Sequence, residues 1–410
     1  MNKNKYVRRE EYLDFLHRWK DKNVVKVISG VRRSGKSTLL QLFVNDLKQT
    51  EVEETCIQVI NFENLVNYAL RDFLKLHEHI TKHLIEGKMN YIILDEVQYV
   101  EEFERVVDSL HITENVDVYI TGSNAFFLSG ELATLLSGRY VELKMLPLSF
   151  KEFYTWKQVH NVSQLQRTKK EWIDEYTKSS FPYTLFIDDE ITLEDYLEGI
   201  YSTILLKDVV ARIGVKDVNT LERIIQYLAG IIGSEFVAKA VKNVFASSGL
   251  TLSHETITRF LVALEGSMFI YKARKFNMRG KRLLDTRYKY YLVDIGLRKI
   301  LLPDVEEDFG HILENIIYLE LLRRGNKVFI GKIGEYEIDF IAEDKNHVKT
   351  YYQVSLNIET EDALKRELRP LKMVNDQYSK YLITLDELNP NANYNGIQRL
   401  NAFDWLLGNQ

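Results

Sequence analysis

The apolar run Val24-Val25-Lys26-Val27-Ile28 ends at Ser29-Gly30, and after a short stretch of glycine and charge an apolar stretch with helical spacing resumes in Thr38-Leu39-Leu40-Gln41-Leu42-Phe43. This pattern predicts strand, loop, helix. Further apolar strands are expected at about 56–61, 91–95, 117–121 and 140–144, with helical patterns between them. Ahead of the first strand, Tyr12, Phe15, Leu16 and Trp19 fall at helical spacing and predict a short amphipathic helix. Strands alternating with helices predict an α/β domain built on a parallel sheet covered on both faces, closing near residue 150.

Beyond that point the pattern changes. From Phe150 to about Lys207 the chain is helical and aromatic, with Phe153, Tyr154, Trp156, Trp172, Tyr176 and Tyr183 expected to pack. We read 151–211 as a helical lid or linker. Helical patterns follow in Leu221–Ile232 and Glu235–Phe245, then in a helix that Ser253 is suited to cap. A basic ribbon spans Tyr271–Tyr291 and turns at Arg279-Gly280-Lys281. A helix followed by such a ribbon resembles a winged helix, placed at 212–303. The remainder, 304–410, is expected to hold a helix over His311–Gly325 and strands at Lys327–Ile330, Tyr336–Ala342 and Thr350–Ser355.

At 410 residues the chain is too long for one core, which agrees with several domains. The net charge of −5 excludes a wholly basic nucleic-acid binder and leaves only a local basic face. A single cysteine, Cys56, cannot form an internal disulfide. No apolar run approaches the roughly 18 residues of a membrane span, and the expected location is cytoplasmic.

The glycine loop carries the clearest chemistry. Gly30-Val31-Arg32-Arg33-Ser34-Gly35-Lys36-Ser37 is a P-loop, whose backbone N–H groups wrap phosphates while a lysine reaches the β and γ positions and a hydroxyl holds Mg²⁺. The nucleotide-binding set is Gly30, Arg33, Ser34, Gly35, Lys36, Ser37 and Thr38, with ATP and Mg²⁺ as the expected cofactors. Asp95 and Glu96 end an apolar strand, which suits one carboxylate on the metal side, with Ser37, and one as the base for water. Thr121-Gly122-Ser123-Asn124 ends the next strand, and Asn124, with Ser123 second, is the expected sensor of the γ phosphate. Arg139 could act as a finger supplied in trans, or simply end a helix at the surface.

Two other constellations invite a reading. Lys272, Arg274, Lys275, Arg279, Lys281, Arg282 and Arg287 give the ribbon a charge suited to phosphate contacts that do not read sequence. The helix, strand, strand order after residue 311 resembles the restriction-endonuclease-like fold, PD-(D/E)XK-like in motif, in which a helix Glu, a strand Asp and a Glu-x-Lys hold a metal. Glu314 and Asp339 match the first two places, whereas Gln353 and Ser355 stand where the acid and lysine belong. Glutamine can still ligate a cation, but serine supplies no positive charge. Lys365 and Arg366 are the nearby candidates to replace it.

The markers Ser29–Ser37, Ile60-Asn61-Phe62-Glu63, Leu94-Asp95-Glu96-Val97-Gln98, Thr121-Gly122-Ser123-Asn124, Ser137-Gly138-Arg139, Glu314-Asn315 and Glu337-Ile338-Asp339-Phe340 together make the chain similar to a prokaryotic family of AAA-type ATPases. That family carries a C-terminal conserved domain of unknown function. The resemblance implies ATP binding and a P-loop strand flanked by the sensor strand. Three functions stay open: an ATPase that works as an oligomer, such as a ring, and remodels or translocates DNA, branched DNA included, a nucleotide-controlled switch engaging a protein partner, and an ATP-coupled metal-dependent nuclease.

Overall fold

The computed structural model describes residues 6–50, 52–123, 136, 138–160, 167–210, 217–247, 249–280, 282–303, 305, 308–387 and 389–409. Two compact units form, one of Met1–Pro147 with Gly266–Met268, the other of Leu148–Glu265 and Phe269–Gln410.

The first unit is a five-stranded parallel sheet of β1 (Val25–Ser29), β2 (Ile57–Asn61), β3 (Asn90–Asp95), β4 (Val116–Gly122) and β5 (Tyr140–Lys144), in the order β2-β3-β4-β1-β5. The P-loop strand β1 therefore lies beside β4, as the family resemblance implied. All residues of β1 and β3 are buried, as expected for central strands covered on both sides, while the edge strand β2 is half-exposed. Side chains alternate between two cores. Val25, Val27, Ile92, Leu94, Val118 and Ile120 pack with residues of α3 (Phe73–Lys82) and α4 (Phe103–Ile112). Ile28, Tyr91, Ile93 and Tyr119 pack with α1 (Glu10–Trp19) and α2 (Lys36–Gln49). The expected N-terminal helix is α1, although Tyr12, Leu13 and Leu16 form its buried face while Phe15 and Trp19 are half-buried.

In the second unit, α5 (Phe150–His160), α6 (Lys169–Thr177), α7 (Glu190–Thr203), α8 (Val218–Gly230), α9 (Ala238–Ser247) and α10 (His254–Gly266) precede the hairpin of β7 (Ile270–Asn277) and β8 (Arg282–Leu292). Ser253 does cap α10, its hydroxyl accepting from Thr256 N–H at 3.0 Å. The short α11 (Gly296–Leu301) leads into α12 (Phe309–Arg323), followed by β9 (Lys327–Ile333), β10 (Tyr336–Glu343), β11 (Lys349–Ser355), α13 (Glu361–Lys372), β12 (Ser379–Thr384), β13 (Asn393–Tyr394), β14 (Ile397–Asn401) and α14 (Ala402–Leu407).

The hairpin is no free-standing wing. Its strand β7 pairs in parallel with β9, and β8 pairs with the two-residue β6 (Glu235–Phe236). One nine-stranded sheet results, β13-β14-β12-β11-β10-β9-β7-β8-β6, so residue 303 falls between strands of a continuous sheet. The aromatic segment after residue 150 packs within this second unit. Phe403 of α14 meets Phe150 and Tyr154 edge-on at 5.4 and 5.3 Å, and Phe150 meets Tyr176 in the same way. Tyr183, expected to pack, is 58% exposed.

Candidate functional site

The glycine loop joins the C-terminal end of β1 to the N-terminus of α2. A Cβ on Gly30 would lie 2.4 Å from Met145 O, so no other residue lets the loop approach β5 this closely. Gly35 takes φ +99° and Arg33 φ +65°, left-handed values that curl the backbone of the loop, and Ser34 N–H closes a turn onto Val31 O at 3.3 Å. Lys36 is buried, its ammonium donating to Gly30 O at 3.0 Å and Val31 O at 3.3 Å, with Glu96 Oε1 3.5 Å away. Ser34 is fully buried and its hydroxyl has no partner. Ser37 and Arg33 are exposed and Thr38 half-buried. A cradle shaped by glycine, lined with a buried cation and an unsatisfied hydroxyl, fits a polyphosphate. Lys36 would neutralise its charge, and Ser37 with Asp95 would hold Mg²⁺.

The carboxylates are held from neighbouring strands. Asp95 Oδ1 accepts from Thr121 Oγ1 at 2.6 Å and Oδ2 from Asn61 Nδ2 at 2.7 Å, and the Ser37 hydroxyl also bonds it. Burial nevertheless prevails and pushes the Asp95 carboxyl above its usual range. At Glu96 the balance reverses. Burial acts upward there, but Lys36, the Gln98 amide and Arg32 outweigh it and hold the carboxyl below its usual range. Glu96 sits at φ +56°, a left-handed conformation that costs a non-glycine residue free energy, and its N–H donates to Thr121 Oγ1 at 2.8 Å. Strain of this kind, held by a cross-strand hydrogen bond, fixes where the carboxylate points.

The expected nucleotide residues Gly30 to Thr38 and the pair Asp95 and Glu96 thus converge at one end of the sheet. Asn124 and Lys281 lie outside the described residues, and only the backbone of Arg282 is described. Arg139 does not join the site. It precedes β5, at the opposite end of the strands, half-exposed and 3.1 Å from Asp108 Oδ1. Several supporting residues escaped the sequence reading because their partners are distant in the chain. Arg9 is buried and donates to Ser34 O at 3.2 Å, Leu146 O at 2.8 Å and Pro147 O at 3.0 Å, bracing the loop against the end of β5. Asn61, Gln98 and Thr121 were visible only as members of motifs.

A second polar cluster lies on the nine-stranded sheet. The register of β10 with β11 sets Phe340 opposite Tyr352, and one residue further brings Asp339 opposite Gln353 on the other face. Val354 N–H donates to Asp339 Oδ2 at 2.8 Å. Glu314 enters from α12, which Asn315 pins to β8 by a pair of hydrogen bonds to Leu292 at 2.8 and 2.9 Å. Glu314, Asp339 and Gln353 are all buried, and Gln353 Oε1 has no partner. Burial, reinforced by Glu314, pushes the Asp339 carboxyl well up.

The hairpin brings a positive charge to these carboxylates. Lys289 Nζ lies 3.0 Å from Glu314 Oε1 and 2.6 Å from Glu337 Oε1, and Tyr291 donates its hydroxyl to Glu314. Lys365 and Arg366 stay on their own helix, paired with Glu361 and Glu367. Lys275 is likewise buried between Glu235 and Glu337, which removes it from the expected basic face because its charge is spent internally. Arg274 and Arg279 are exposed, and Arg287 is half-exposed with Glu235 at 3.6 Å. Lys272 lies over the Tyr288 ring, 4.0 Å from its centroid.

This fold and loop define an AAA-type P-loop protein. A family profile described as an AAA domain matches residues 22–154, and one described as a domain of unknown function, DUF8612, matches residues 169–308. An uncharacterized protein of Haemophilus influenzae is 38% identical over 98% of both chains. The uncharacterized protein MJ1544 of Methanocaldococcus jannaschii is 30% identical over 86% of this chain and 80% of its own. The chain belongs to the family of these two proteins. Among solved structures, the Walker-type ATPase PABY2304 of Pyrococcus abyssi is similar over 72% of this chain and 95% of its own, at 17% identity and a TM-score of 0.47. The ORC1 protein of Aeropyrum pernix, solved in complex with DNA, is similar over 73% and 93%, at 12% identity and a TM-score of 0.31.

Proposed function

We propose that the protein hydrolyses ATP with Mg²⁺ and, as an oligomer, couples the cycle to remodelling or translocation of DNA. The observation that carries the hydrolytic part is the strained, buried Glu96, held beside the Lys36 ammonium at 3.5 Å while Asp95 is fixed by Thr121 and Asn61. Lys36 binds phosphate, Ser37 and Asp95 hold Mg²⁺, and Glu96 takes the proton of the attacking water. Arg274, Arg279 and Arg287 on one hairpin support the DNA part.

The test is ATP turnover without nucleic acid and with single strands, duplex and a four-way junction, against Glu96→Gln as control. Stimulation by a DNA form that is lost, together with its salt slope, in an Arg274/Arg279/Arg287 triple alanine variant supports the reading. Turnover that depends on Glu96 but ignores DNA favours a nucleotide-controlled switch for a protein partner.

A second reading is favoured by the convergence of Glu314, Asp339 and Gln353 with Lys289. These groups suit a divalent cation beside a phosphodiester, provided the cation displaces the Lys289 ammonium from Glu314. Mg²⁺-dependent cleavage abolished by Asp339→Ala supports it. Cleavage that survives the substitution, or no cleavage at all, removes it.

A further inference from the structure

Two residues beyond Glu96, the Gln98 side chain reaches back across the site. Its Nε2 donates to Glu96 Oε2 and lies 3.3 Å from Ser123 Oγ at the end of β4. The other end of the same amide, Oε1, is buried and has no hydrogen-bond partner. A buried acceptor without a donor is unfavourable, and an amide already tied at its nitrogen cannot turn away to water. The Glu96 carboxylate, the base assigned under the proposed function, therefore lies beside an unspent acceptor whose position is set by Glu96 itself and by the sensor strand.

We propose that Gln98 is a positioning residue for hydrolysis, its Oε1 accepting one hydrogen of the attacking water while Glu96 accepts the other. This inference rests on the hydrolytic reading. With both hydrogens directed at fixed acceptors, the free lone pair of the water oxygen faces the γ phosphorus. The oxygen forms the new bond to phosphorus, and the bond to the bridging oxygen breaks with its electron pair departing on ADP. One water proton passes to Glu96. Gln98 is neither protonated nor consumed, and it acts through geometry. The contact with Ser123 ties this geometry to the strand end nearest the transferred phosphate.

The test compares wild type with Gln98→Ala, Gln98→Met and Glu96→Gln, measuring steady-state turnover and, separately, binding of a fluorescent non-hydrolysable ATP analogue. Methionine keeps much of the side-chain volume and removes both polar atoms. The expected result is a fall in kcat of about 10²-fold in both Gln98 variants, with analogue affinity within twofold of wild type. Unchanged kcat in the variants overturns the proposal. So does a fall that methionine restores, or one matched by lost affinity, because either assigns Gln98 to packing. If wild type turns over no faster than Glu96→Gln while still binding the analogue, the hydrolytic reading itself fails and takes the water-positioning role with it.

Discussion

Arg139 and Gly30 stand at opposite ends of adjacent parallel strands, for Arg139 precedes β5 while Gly30 follows β1. Five residues of strand separate the two ends, roughly 16 Å. An arginine side chain does not span that distance through a packed sheet, so Arg139 cannot reach the loop of its own chain. If it serves hydrolysis, it does so in a second copy. Inactive Lys36→Ala and Arg139→Ala proteins mixed in equal amounts are then expected to regain turnover, because some interfaces pair an intact loop with an intact arginine. No recovery at any ratio assigns Arg139 to its pairing with Asp108.

Below the loop, Lys26 of β1 and Asp117 of β4 form an ion pair with side chains 0% and 2% exposed. Asp117 also accepts from Tyr119 Oη and from Asp21 N–H, both at 2.9 Å. Burial disfavours both charges, lowering the Lys26 pKa and raising that of Asp117, so each ion depends on the other. Lys26→Met leaves Asp117 unpaired and should destabilise the first unit by about 3–5 kcal/mol in denaturant unfolding. Adding Asp117→Leu should recover much of that loss.

Asp46 on α2 clasps α1, accepting from Arg8 at 3.0 and 2.8 Å and lying 3.0 Å from His17 Nε2. Burial raises its pKa, but the bonds to Arg8 and His17 more than compensate and the carboxyl titrates below its usual 3.8. A depressed folded pKa stabilises the fold above the unfolded value, and that contribution disappears as pH falls through the folded one. With Arg8 half-exposed, the effect is on the order of 1 kcal/mol at neutral pH. Asp46→Asn should unfold more easily than wild type at pH 7, and the difference should shrink below about pH 4.

In the second unit, Gly296 begins α11 against the backbone. A Cβ there would lie 2.1 Å from Lys178 O, where Asp294 also accepts from Ser180 N–H and Oγ at 2.6 Å. Gly296→Ala should cost about 3 kcal/mol, read from denaturant unfolding. A negligible loss would mean that the segment between β8 and α11, which carries Asp294, shifts freely.

What the sequence disclosed follows from how far each feature reaches along the chain. The five strands of the first sheet and the carboxylate pair at Asp95 and Glu96 depend on contiguous residues, and they stand where the pattern placed them. Asn61 against Asp95, Arg9 against Ser34 and Gln98 against Ser123 are meetings across 34, 25 and 25 residues, and no local period encodes them. The basic ribbon misled for the same reason. Lys275 reads as an exposed cation until the parallel pairing of β7 with β9 brings Glu337 beside it, and Lys289 on the same hairpin is likewise taken up by Glu337 and by Glu314 of α12. Charge counted along a strand cannot reveal which charges a distant carboxylate consumes.

The continuity of the nine-stranded sheet limits how the chain can be divided. A protein ending at Pro303 would bare the β7 edge from Arg274 to Asn277 as an open template for self-association, and would strand Lys289 without either carboxylate. The hairpin and the last hundred residues form one cassette, to be cloned, swapped or lost only together.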